Sequence, residues 1–195
     1  MRFVVASHNP KKLAELQRML TPLGIDAFID PTLEDVEETG TTFEENALLK
    51  AESACRQLGC PAIADDSGLM IDALDGRPGV YSARYAGENA TDADRIAKVL
   101  REMQDVPSNQ RGAHFVSCAC CVFPNGDVLS VKGECHGHIG TAPSGNGGFG
   151  YDPIFVVDGG KTFAELSPSE KDAISHRGHS LRLMKEALTE YLSKQ

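Results

Sequence analysis

The chain has 195 residues, 41% of them hydrophobic and 24% charged, which is the ordinary globular range and excludes a disordered, fibrous or low-complexity protein. A formal net charge of -9 argues against a nucleic acid polymer as partner, because backbone phosphates are held by basic surfaces. Every apolar run falls short of the roughly 18 to 20 residues that cross a bilayer, and Phe3 to Ala6 is too short for a signal-peptide core, so no membrane and a cytoplasmic location are expected.

Phe3-Val4-Val5-Ala6 predicts a strand, broken at Ser7-His8-Asn9-Pro10. A helix follows on Leu13, Leu16, Met19 and Leu20, with Asn9 as N-cap and Pro10 as first helical residue. A second helix is predicted from Thr42, whose hydroxyl and the Glu45 side chain have capping-box spacing. Its apolar stripe is Phe43, Ala47, Ala51, Ala54 and Leu58; Asn46, Lys50, Ser53 and Gln57 form a polar stripe beside it, and Gly59 is the stop. Pro61 to Ala64 predicts a short buried strand that places Asp65-Asp66-Ser67-Gly68 at its carboxyl end, where open α/β sheets bind ligands.

Gly76 to Tyr85 predicts a loop, followed by a helix with Ile96, Val99, Leu100 and Met103 on one face. His114 to Phe123 and Val128 to His136 flank Asn125-Gly126, a strong hairpin signal. Gly140 to Gly150 is a glycine-rich loop, Ile154 to Val157 a further strand and Ser167-Pro168-Ser169-Glu170 a capped helix start. A final amphipathic helix carries Leu181, Met184, Leu188 and Leu192. Among the six cysteines the one CxxC spacing is Cys118-Ala119-Cys120-Cys121, and on a strand Cys118 and Cys120 share a face while Cys121 does not, so Cys118, Cys120, Cys121, Cys135, His136 and His138 are a poor zinc set and the cysteines read as buried thiols.

Four segments carry groups suited to a polyphosphate and a metal. Ser7-His8-Asn9-Pro10-Lys11-Lys12 puts a hydroxyl, an amide and ammonium groups at a helix N-terminus, which attracts anions, although an ordinary capped helix explains the same residues. The acidic stretch Glu34 to Glu38 and the pair Asp65-Asp66 offer hard oxygens of the kind Mg²⁺ takes, while solvated loops and turns are the plainer account. In the C-terminal set, Phe149 could stack a base within Gly148-Phe149-Gly150-Tyr151-Asp152, and a His176-Arg177 turn with Lys171 could donate to carbonyl oxygens on it; core packing and helix capping are the alternatives.

Taken together, Ser7-x-Asn9-x-x-Lys12, Glu37-Glu38-Thr39-Gly40 with Thr42-Phe43-x-Glu45-Asn46-Ala47 and Lys50-Ala51, Ala64 to Leu69, Gly76-x-Pro78-Gly79-x-Tyr81-Ser82-Ala83-Arg84, Gly148 to Pro153 and Ser175-His176-Arg177-Gly178 resemble the Ham1/RdgB family of noncanonical purine nucleoside triphosphate pyrophosphatases. The likeness spans nearly the whole chain. It implies an α/β fold in which residues 1–195 form one domain of two lobes around a long, mixed, twisted sheet with flanking helices (ITPase/Maf-like), a cleft between the lobes, and a homodimer.

The implied reaction is Mg²⁺-dependent hydrolysis of ITP, dITP or XTP to the monophosphate and pyrophosphate. By matching position, Ser7, His8, Asn9, Pro10, Lys11, Lys12 and Lys50 would contact the triphosphate, and Glu37 or Glu38 with Asp66 would hold the metal. Asp66 would be the general base and Ser67 would touch substrate; Phe149, Gly150, Tyr151, Asp152, Lys171, His176 and Arg177 would surround the base. Lys11 departs from the glycine that often precedes the motif lysine. Two alternatives stay open: a pyrophosphatase for another modified nucleotide, as in the Maf group, and a nucleotide sensor that does not hydrolyse.

Overall fold

The computed structural model describes residues 1–194, without the side chains of Lys11 and Met19. Strands β1 (Arg2–Val5), β2 (Asp26–Phe28), β3 (Ala62–Ile71), β4 (Gly112–Val122), β5 (Val128–Ile139) and β6 (Phe155–Val156) form one sheet in the order β2-β1-β3-β4-β5-β6. β1 pairs in parallel with β2 and with β3, while β5 and β6 are antiparallel, so the sheet is mixed. The helices are α1 (Pro10–Leu20), α2 (Phe43–Leu58), α3 (Asp92–Glu102), α4 (Pro168–Ile174) and α5 (His176–Ser193). This is the α/β class expected from the sequence. Among the described residues, no helix is long and apolar enough to cross a membrane.

The chain divides into two compact units, Met1–Asp66 with Ser117–Gly133 and His179–Gln195, and Ser67–Val116 with Glu134–Gly178. The first has its core where Leu16 and Leu20 of α1 and Leu181, Met184 and Leu188 of α5 close over Phe3, Val5 and Ile63. The second packs Ile96 and Val99 of α3 against Leu69, Ile71, Phe115 and Phe155. Burial of these apolar side chains is the main favourable term in each unit.

Local sequence explains most element ends. The Thr42 hydroxyl accepts from the Glu45 N–H while the Glu45 carboxylate accepts from the Thr42 N–H, and α2 stops at Gly59, which takes the left-handed conformation. The hairpin turn closes as expected, with the Phe123 N–H donating to Asp127 and the Gly126 N–H to Phe123.

Three expectations need correcting. Asp65-Asp66-Ser67-Gly68 is not a turn after a short strand but the middle of a ten-residue one; tertiary partners for the carboxylates override their local turn preference. The strand expected over Ile154 to Val157 is only Phe155–Val156, because Asp152–Ile154 form a 3-10 turn and the Val157 N–H already bonds Lys161. His176-Arg177 is the opening of α5 rather than a turn, since the Ser175 hydroxyl accepts from the Gly178 N–H at 3.0 Å and caps the helix directly.

Candidate active site

Two clusters of chemically active side chains stand out, one in each unit. The first is built on β3. Successive side chains on a strand point to opposite faces, so the adjacent acids are divided. Asp65 turns towards α1, its Oδ1 3.0 Å from Lys12 Nζ. Asp66 turns towards α2, where its Oδ2 accepts from Asn46 Nδ2 at 3.3 Å and its Oδ1 lies 3.5 Å from Lys50 Nζ. The same Lys50 ammonium is 2.8 Å from Glu38 Oε1.

Helical spacing puts Asn46 one turn before Lys50, and the loop before α2 is tied down through it: the Gly40 N–H donates to Asn46 Oδ1 at 2.8 Å. A Cβ on residue 40 would stand 2.6 Å from that oxygen, so only glycine permits the approach. The approach brings Glu38 to Lys50. Glu37 is exposed and lies outside these contacts.

The electrostatics follow from burial. Burial pushes the Asp66 carboxyl above the usual carboxylate range; the Lys50 ammonium opposes this and Glu38 reinforces it. Burial also works against the charged Lys50, but Asp66, Asp65 and Glu38 outweigh it and hold its pKa above the ordinary lysine value. Glu38 and Asp66 are thus two hard-oxygen donors converging on one cationic point. That donor set fits Mg²⁺, which takes one or two protein carboxylates and completes its shell with water and substrate phosphates. It does not fit an all-protein cage: among the described residues, no group of three or more His, Cys, Asp or Glu side chains is arranged to hold a metal.

In the segment leading to α1, the Asn9 N–H donates to the Ser7 hydroxyl at 3.1 Å and the Leu13 N–H to the Asn9 carbonyl, which starts the helix at Pro10. His8 turns aside to Asp35, Nε2 to Oδ1 3.1 Å, on the surface. The Lys11 side chain, expected beside the phosphates, lies outside the described residues.

The second cluster centres on Phe149. Asp152 Oδ2 accepts from Lys171 Nζ at 2.7 Å and from the Phe149 N–H at 2.9 Å, and both charged side chains are buried. Lys171 Nζ stands 4.9 Å and the Arg177 guanidinium carbon 5.5 Å from the Phe149 ring centroid, within cation–π range. Arg177 Nη2 also donates to the Ser67 hydroxyl at 3.1 Å, so Ser67 belongs here. His176 is buried and packs its ring on Phe115, centroids 4.6 Å apart.

The loop is pinned at two more points: the Gly150 N–H donates to Asp92 Oδ2 at 2.7 Å, and the buried Tyr151 hydroxyl donates to the Ser82 carbonyl at 2.8 Å. Tyr151→Phe leaves that carbonyl unpaired and should cost about 1 to 2 kcal/mol of stability, measured by urea unfolding; an unchanged midpoint would mean the carbonyl finds another donor.

The sequence offers Asp65 beside Asp66 as a hard-oxygen donor and places Asn46 in the polar stripe of α2, but it gives Asn46 no role and does not point to Asp92. Asn46 carried a usable signal, since it falls at helical spacing from Lys50. Asp92 carried none, because its role depends on a loop 58 residues away.

The model of the Ham1 family matches residues 3–187. The chain belongs to the Ham1 family. A dITP/XTP pyrophosphatase from Nocardia farcinica is 51% identical over 194 residues, covering 96% of this chain and 94% of that protein. One from Geobacter sulfurreducens is 50% identical, covering 96% of each. Among solved structures, a HAM1 protein from Coxiella burnetii superposes with a TM-score of 0.91 at 47% identity, covering 97% of this chain and 99% of that one. The Staphylococcus aureus Ham1 protein gives 0.89 at 40% identity, covering 98% and 100%. The family inferred from the motifs and the α/β fold are both confirmed.

Proposed function

We propose that this Ham1-family chain is a nucleoside triphosphate pyrophosphatase that hydrolyses dITP, XTP and ITP to the monophosphate and pyrophosphate with Mg²⁺, clearing deaminated purines from the nucleotide pool. The observation that carries the reading is Asp66, a buried carboxylate held beside Glu38 and Lys50, in a chain half identical to dITP/XTP pyrophosphatases.

Glu38 and Asp66 would hold the metal, which when bound supplies charge neutralisation on the phosphates. Lys12, Lys50 and the Ser7 to Asn9 segment would take phosphate oxygens, with Lys50 giving up part of its contact to the carboxylates. Asp66 would accept the proton of the attacking water. A carboxyl raised by burial is better matched to that task than an ordinary one.

The Phe149 cluster would take the base. Asp152 Oδ2 is engaged by Lys171 and the Phe149 N–H, so the cluster offers a purine mainly donors. A 6-keto oxygen accepts from them, whereas the 6-amino group of adenine would oppose donor to donor, a mismatch that polar sites reject strongly. A homodimer and a cytoplasmic setting complete the reading; the family resemblance supports the first, and the second is in keeping with six free thiols.

Pyrophosphate release from ITP, dITP, XTP, GTP, ATP and dUTP, each with and without Mg²⁺, tests the proposal. Mg²⁺-dependent release confined to ITP, dITP and XTP is the expected result. Release mainly from dUTP would favour the Maf-like alternative, and tight binding without release from any would make the chain a sensor.

A further inference from the structure

The cysteine and histidine residues around β5 are dispersed by the strand. Cys135 points into the core, whereas His136 and His138 are exposed. Strand pairing, however, adds a residue that sequence spacing does not offer. The Ile139 N–H donates to the Arg111 carbonyl at 2.9 Å, which sets residues 111 and 139 opposite each other as a hydrogen-bonded pair. Three steps along the ladder, His114 falls opposite His136 in a non-hydrogen-bonded pair, where side chains approach most closely. Their rings are stacked, with centroids 5.2 Å apart and planes at 27°. Glu134 Oε2 lies 3.4 Å from His136 Nε2, and the His136 side chain is 75% exposed.

We propose that His114 and His136 form a surface site for a late first-row divalent cation such as Zn²⁺, built from residues other than the acid–lysine cluster of β3. Imidazole suits Zn²⁺, Ni²⁺ and Cu²⁺, whereas Mg²⁺ prefers oxygen ligands and competes poorly. Two paired strands hold both rings in register, so binding requires only side-chain rotation and no ordering of a loop. Glu134 Oε2, 3.4 Å from His136 Nε2, is placed to take the N–H of that nitrogen and leave the other nitrogen to the cation, as carboxylates do behind metal-bound histidines. Water completes the shell, since no third side chain of the His, Cys, Asp or Glu kind is arranged to join among the described residues. His138 lies on the same exposed face but faces Gly112 across the ladder, so it has no imidazole partner.

Calorimetric titration of the full chain, free of any affinity tag, with ZnCl₂ in saturating Mg²⁺ tests the site. The expected result is one Zn²⁺ per chain. His114→Ala and His136→Ala should each weaken it by at least about tenfold, Glu134→Gln by roughly tenfold, and His138→Ala should leave it unchanged. His114→Asn serves as the second variant should alanine disturb the strand. No Zn²⁺ binding, equal weakening by His138→Ala, or wild-type affinity in the His114 variants would overturn the proposal.

Discussion

Asp66→Asn should lower turnover of dITP or XTP by about 10² to 10⁴-fold, the usual contribution of a positioned general base, while nucleotide binding survives. The expectation rests on geometry. Asp66 is buried, and Asn46 and Lys50 hold it from two sides at 3.3 and 3.5 Å. Asparagine has the same shape and keeps one oxygen for these partners, so the fold should tolerate it; what is lost is the negative charge that, in the proposed reaction, would accept a proton and help to hold Mg²⁺. Single-turnover kinetics at saturating Mg²⁺ separates the two losses. A rate restored by raising Mg²⁺ would make Asp66 a metal ligand only, and wild-type turnover at every Mg²⁺ concentration would remove it from the chemistry. Glu38→Gln should behave oppositely, shifting the Mg²⁺ dependence more than the saturated rate.

What the sequence made legible was local. Thr42 and Glu45 announced the start of α2, Asn125-Gly126 the hairpin, and the motifs the family, because each depends on residues close together in the chain. The course of β3 was not local. Asp-Asp-Ser-Gly has strong turn chemistry, and only Lys12, Lys50 and Asn46, brought from α1 and α2, make it affordable to bury these acids inside a strand. Extending the expected strand through Asp65-Asp66 would have put the two acids on opposite faces by its period of two, whereas the pairing of Asp66 rather than Asp65 with Glu37 or Glu38 came from the family motif. Distinguishing Glu38 from Glu37 required the Gly40 contact to Asn46. The pairing of His114 with His136 required the hairpin register, and the role of Asp92 required the folded glycine loop.

Lys171→Met should cost about 3 to 5 kcal/mol of stability, the usual penalty for removing one partner of a buried ion pair. Lys171 and Asp152 have side chains only 10% and 4% exposed and meet at 2.7 Å. Without the ammonium, the Asp152 carboxylate keeps the Phe149 N–H at 2.9 Å and loses its counter-charge. It has little freedom to move away: a Cβ on Gly148 would stand 1.9 Å from its Oδ2, so the glycine loop closes directly over that oxygen. Relief by movement would therefore carry Phe149 with it, and KM for a purine triphosphate should rise more than kcat falls. Urea unfolding reads the first effect and steady-state kinetics the second. The double variant Lys171→Met with Asp152→Asn separates causes, because a neutral amide can still accept from Phe149 without leaving a buried charge. Recovery of most of the lost stability in the double variant would assign the cost to the orphaned carboxylate. An undiminished loss would assign it instead to the contacts that the Lys171 ammonium makes over Phe149 and Phe163, 4.9 and 5.6 Å from their ring centroids.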